Sequence, residues 1–141
     1  MYAVLSDITA AIGEPRLLLI ADRNDDGVVD EAVVTEALLD AAAEIDSAVG
    51  GRYKLPMEPV PRRLRRVAVD IAQFHLDPNP SEDLMARVKD ARAFLVQVSK
   101  GIMTLSDAAL IGDEKPHEDG SQSDYAARKA FKSSLNTEGF L

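Results

Sequence analysis

The chain predicts an all-α fold: a small helical bundle of two short N-terminal helices and three longer core helices, followed by an extended C-terminal arm. Three observations carry this. With tryptophan absent and aromatics at 5%, a core has to be built from Ala, Leu, Val and Ile, which suits helix packing. Apolar residues return at helical spacing over long stretches, and neither a strand alternation nor a glycine-rich phosphate loop interrupts them. No internal repeat is present. At 141 residues the chain is the size of one domain, and its pattern divides it into a helical domain, 1–111, and a flexible linker with its arm, 112–141.

Ser6 is in position to cap a first short helix that ends at Gly13, where glycine suits a left-handed turn; Pro15 then falls in the first turn of a second short helix. Asp22 to Asp30 is an acidic turn-rich loop, and Asp30 is the cap expected of a long helix reaching Gly50-Gly51. At about 1.5 Å per residue that helix is roughly 30 Å long. Val34, Leu38, Ala41, Ile45, Ala48 and Val49 form its core stripe, with Glu36, Asp40 and Glu44 on the opposite face. From Asp30 to Val49 there is no Lys or Arg, so like charges four residues apart repel, and their balance has to come from outside the helix.

Pro56, Pro59 and Pro61 exclude regular helix and predict an extended connector, after which Pro61 starts a third core segment. There Leu64, Val67, Ala68, Ile71 and His75 make the stripe, while Arg62, Arg63, Arg65 and Arg66 crowd the first turns. Cations at that end oppose the helix dipole, so local helix stability does not account for them. Asn79-Pro80-Ser81-Glu82 carries start signals for the last helix, with Asn79 as its cap. Its stripe is Leu84, Val88, Ala91, Leu95, Val98 and Ile102, and Lys100-Gly101 is the expected stop. From Gly112 to Asp124 apolar periodicity is gone; Tyr125, Phe131, Leu135, Phe140 and Leu141 then return apolar groups to a polar arm suited to ordering on a partner.

The net charge of -8 and pI near 4.7 argue against a protein that wraps nucleic acid. With no cysteine there is no disulfide framework, thiolate metal site or cysteine nucleophile, in keeping with a reducing cytoplasm. The longest apolar run, Leu17 to Ala21, falls far short of the roughly twenty residues that span a bilayer, and Met1-Tyr2 opens without a signal sequence. The expectation is a soluble, unexported protein with no membrane association.

Asp22 to Asp30 matches the first nine positions of a calcium-binding EF-hand loop, with Asp22, Asn24, Asp26 and Asp30 as ligand candidates and Gly27 at the sixth position. Val33 stands where a closing Glu belongs, so a tight acidic turn is the simpler reading and no cofactor is expected. His75 reads as a packing residue and His117 as part of the linker; neither joins a catalytic set, so no enzyme activity is expected. The arginine cluster has three readings: a solvated face, a phosphate contact, or half of a subunit interface. An Arg-rich surface (Arg62, Arg63, Arg65, Arg66) and an acidic one (Glu36, Asp40, Glu44) on one chain are suited to meet between copies in a head-to-tail ring. A small calcium-responsive module and a helical nucleic-acid binder are the alternatives.

The opening Met-Tyr-Ala-Val-Leu-Ser-Asp-Ile, the Ile12-Gly13-Glu14 turn, the acidic loop into Asp30-Glu31-Ala32-Val33-Val34, Ala42 to Ser47, Gly51-Arg52-Tyr53-Lys54-Leu55-Pro56, Leu64 to Leu76, and Lys100-Gly101-Ile102 with Leu105 together resemble the head-tail connector proteins of Mu-like tailed phages. The resemblance covers residues 1 to 111 and lies in the order of these stretches; Phe131 to Leu135 and Gly139-Phe140-Leu141 are similar to that family's C-terminus. It implies an all-α adaptor, made in the bacterial cytoplasm and placed at the virion head-tail junction. There it would form a ring, a dodecamer, between the portal protein and tail-side connector, stopper or tail terminator proteins, with DNA passing through the lumen without sequence-specific binding; the stripe Glu36, Asp40 and Glu44 would face either a neighbouring copy or the lumen, where an acidic wall repels the passing phosphates. In that setting the arm Tyr125, Phe131, Leu135, Phe140 and Leu141 is the expected portal-docking element.

Overall fold

A computed structural model describes residues 1–106, 108, 110 and 111. Five helices follow in order: α1 (Leu5–Ile12), α2 (Glu14–Ala21), α3 (Glu31–Val49), α4 (Arg62–Leu76) and α5 (Glu82–Ser99). Among the described residues there is no strand, only a single antiparallel bridge between Tyr53 and Leu110. The protein is an all-α bundle, and none of these helices is long and apolar enough to cross a membrane.

Helices α3, α4 and α5 pack against one another, and the α1–α2 hairpin lies on them. Small side chains make the close approach: Ala37, Ala41 and Ala42 of α3, Ala68 and Ala72 of α4 and Ala91 of α5 are all buried. Ile8, Leu17, Ile45, Leu64, Ile71, Leu84 and Val98 fill the space between them. Val34, Leu38, Ala41, Ile45 and Val49 are core as the periodicity predicts, with Ala48 at its margin.

The helix starts differ from the sequence expectation by one or two residues. The first cap is Val4, whose N–H donates to the Asp7 carboxylate at 2.9 Å, and Ser6 lies inside α1. The last cap is Ser81, its hydroxyl accepting the Leu84 N–H at 3.2 Å, with Asn79 still in the connector. Asp30 caps α3 as predicted, accepting from the Ala32 N–H, and Gly13 turns the chain between α1 and α2 at φ +82. After Lys100, Gly101 at φ +75 donates to Val98 O and Ile102 donates to Gln97 O, a paired helix-ending motif that needs a left-handed residue.

Two core assignments are corrected. The His75 side chain is 35% exposed, because Ala72 and Leu76 take the inward positions of the last turn of α4. Ile102 is 71% exposed, carried outward by the turn at Gly101. The chain beyond α5 is instead held by Tyr53: its hydroxyl accepts the Leu105 N–H at 2.9 Å, and Ile111 N donates to Arg52 O at 2.8 Å. The Arg52 guanidinium lies against Gly101 so closely that a Cβ there would collide with it. Gly51 to Pro56, one of the stretches that carried the resemblance, therefore clamps the end of the bundle.

Candidate functional site: a basic groove and an acidic ridge

α4 begins without a side-chain cap and without an acidic residue in its first turn. Its unsatisfied N–H groups and four exposed arginines put positive charge on positive dipole, so burial of Leu64, Val67, Ala68 and Ile71 must hold this end in place. Arg62, Arg63, Arg65 and Arg66 edge a groove of about 1060 Å³ whose other walls are Asp7, Ala10, Ala11 and Ile12 of α1 and Arg87, Asp90, Ala91 and Phe94 of α5. Among the described residues no carboxylate lies within 4.0 Å of any of the four. Arg63 stacks on the Phe94 ring, its guanidinium carbon 4.1 Å from the centroid, and so covers an otherwise buried aromatic.

On the α5 side of the groove Arg87 is paired. Arg87 lies 2.7 Å from Asp83 and 3.3 Å from Asp70, although its Nε is not aligned to donate to Asp70. Burial pushes the Asp70 carboxyl above its ordinary range against the pull of Arg87 and Arg66. Asp70, Arg87, Phe94 and the α1 wall were not singled out from sequence; Phe94, next to Leu95 and three residues beyond Ala91, was the available signal, since a core stripe is wider than one residue per turn.

The acidic residues of α3 separate into two kinds. Glu44 is half-buried and bridged across the bundle by Arg92 of α5, with Nε at 2.6 Å and Nη2 at 3.4 Å, while His75 Nε2 lies 4.0 Å away. The balance of Glu44 comes from outside α3, as the missing Lys and Arg of that helix require, but from another helix of the same chain and not from a second copy. Glu36 and Asp40 remain exposed and share one face with Leu39, which is 52% exposed, and Ala43. The groove and this acidic ridge occupy different surfaces, since no residue of α3 lines the groove.

The loop from Asp22 to Asp30 closes on itself. Asp22 accepts the Asp26 N–H at 3.2 Å and the Gly27 N–H at 2.9 Å, and the latter bond foremost holds its carboxyl below the usual range. Asp26 accepts from Val28 N and from the Asn24 amide, and Asp30 is committed to its helix cap. Val33, at the position of the missing ligand, packs against the core. Among the described residues no group of three or more His, Asp or Glu is placed to hold a metal ion. The turn-and-cap reading accounts for these side chains. Tyr125, Phe131, Leu135, Phe140, Leu141 and His117 lie outside the described residues.

A family model described as Bacteriophage Mu, Gp36 matches residues 2–123. The chain is similar to gene product J of Escherichia phage Mu, 36% identical over 102 residues that cover 71% of this chain and 72% of that protein. It is also similar to the Mu-like prophage FluMu protein gp36 of Haemophilus influenzae, 42% identical over 78 residues, 55% of each. An all-helical bundle whose matched segment runs through α1 to α5 and the clamp behind them is thus a member of the Bacteriophage Mu Gp36 family.

Proposed function

We propose that the protein is a structural, non-enzymatic head-tail connector of a tailed phage, prophage or phage-like particle. The observation that carries this reading is the division of charge: Glu44, Asp70 and Asp77 are bridged to arginines from other parts of the chain, whereas four arginines lie exposed on one surface and Glu36 and Asp40 on another. Membership in a Mu phage family supports a role in the particle. Copies meeting through these two surfaces form a ring at the head-tail junction, between the portal protein and the tail-side connector, stopper or terminator proteins. DNA passes through its lumen without sequence-specific contact. In a dodecamer, one contact repeats twelve times by a closed rotation. The arm with Tyr125, Phe131, Leu135, Phe140 and Leu141 docks on the portal and orders its apolar groups there.

The test is to mix the complete chain with the portal of the same phage element and to measure mass and shape by native mass spectrometry and negative-stain imaging. A ring of this chain on the portal, lost in a Phe131→Ser, Phe140→Ser variant that keeps its helical spectrum, is the expected result. Absence of binding by the unaltered chain overturns the reading.

A further inference from the structure

We infer that the groove between α1, α4 and α5 receives the exposed face of α3 from a second copy of this chain, Glu36 and Asp40 facing the arginines and Leu39 and Ala43 lying on the apolar floor. This rests on the connector reading, in which copies stand side by side, and names the surfaces that join them.

Charge and apolarity agree in the pairing. Arg62, Arg65 and Arg66 of α4 and Ala10, Ala11 and Ile12 of α1 line the same groove. A suitable occupant must therefore carry acids beside a narrow apolar strip. Glu36, Leu39, Asp40 and Ala43 lie at i, i+3, i+4 and i+7 of one helix, which brings them onto a single face, and all four are exposed. The acids reach toward the uncapped positive end of α4, where the helix dipole adds to the arginines. The chain's own α3 is not the occupant, because it packs into the core by its opposite face. Nucleic acid is a poorer match: an unbroken run of phosphates would meet Asp7, Asp70 and Asp90 along with the arginines and leave the apolar lining uncovered, whereas the ridge brings two acids beside apolar groups. Because groove and ridge are different surfaces, each copy offers one of each, and the contact propagates from copy to copy.

The chain has no cysteine, so single cysteines report proximity cleanly. An equimolar mixture of Leu39→Cys and Ala11→Cys chains is oxidised, free at high concentration and on the portal, and the disulfide products are separated by mass. The expected result is a mixed disulfide exceeding either like-with-like product by about tenfold. It weakens with added salt, is lost when Arg62→Glu and Arg66→Glu are added to the Ala11→Cys chain, and returns when Glu36→Arg and Asp40→Arg are then added to the Leu39→Cys chain. A statistical mixture, a dominant like-with-like product, or no disulfide in either setting overturns the inference. So does salt-sensitive binding of duplex DNA that the same arginine substitutions abolish. Portal binding without the mixed disulfide removes this interface and leaves the connector reading; the mixed disulfide without portal binding does the reverse.

Discussion

The two halves of α4 treat charge in opposite ways. In the first two turns Arg62, Arg63, Arg65 and Arg66 stand exposed at the wrong end of the helix dipole, with no carboxylate within 4.0 Å of them among the described residues. In the second half and its cap, each ionisable side chain has a partner. Asp70 faces Arg87, His75 lies by the Glu44–Arg92 bridge, and Asp77, with 4% of its side chain exposed, holds Arg16 at 2.6 Å and accepts the Asn79 N–H. One helix thus contains charges that serve its own fold and charges that the fold does without. The acids of α3 divide likewise, Glu44 inward and Glu36 with Asp40 outward. The exposed arginines of α4 and the exposed acids of α3 have no such partner among the described residues, and these are the charges that the proposed contact between copies uses.

The largest effect belongs to the paired half. Arg16→Ala leaves the buried Asp77 carboxylate without its cation and, because Arg16 is itself 42% exposed, costs about 2 kcal/mol of unfolding free energy, read from urea denaturation; a loss under about 0.5 kcal/mol breaks the comparison at its strongest point. Next is Arg92→Ala, which frees a half-buried Glu44 and removes a guanidinium from beside Phe74. The bridge is partly exposed, so the loss is about 1 kcal/mol. In the exposed half the sign reverses: Arg62→Glu with Arg66→Glu puts acids at a helix N-terminus, raising thermal stability by about 0.5 kcal/mol while abolishing self-association.

The smallest effect is a pH dependence at Asp70. Its folded carboxyl is held above the ordinary range by burial, so the folded state keeps this proton longer than the unfolded chain does, and stability falls as pH rises through that window. Asp70→Asn removes this slope. The melting temperature of the variant relative to the unaltered protein should therefore rise as pH climbs from below the usual carboxylate range to neutrality, and a constant difference would assign Asp70 no such role.

Much of the bundle was legible because it depends on local rules. Helical spacing located the core of α3, and Asp30, Gly13, Pro61 and Gly101 punctuated the chain where expected. The displaced boundaries arose where two cap signals competed within a few residues: Ser81 capped α5 in place of Asn79, and Asp7 closed α1 from within. His75 was misread because it stands four residues after Ile71, whereas Ala72 and Leu76 carry the buried face through the last turn. Partners remote in sequence were illegible altogether. Arg92 and Glu44 are 48 positions apart and Arg16 and Asp77 are 61 apart, so no periodicity within one helix relates them. The four arginines and two acids of the proposed contact were visible in sequence, but the groove needed α1 and α5 to give it walls.

The central claim, that the charges left open on α4 and α3 bind each other between copies, is tested most directly by exchanging them. One chain carries Arg62→Glu with Arg66→Glu, so both of its surfaces are acidic; another carries Glu36→Arg with Asp40→Arg, so both are basic. Native mass spectrometry at low salt should find each alone less associated than the unaltered protein and their mixture assembled in alternation. Association of either variant alone as strong as that of the unaltered protein, or a mixture no more associated than its parts, would contradict the account.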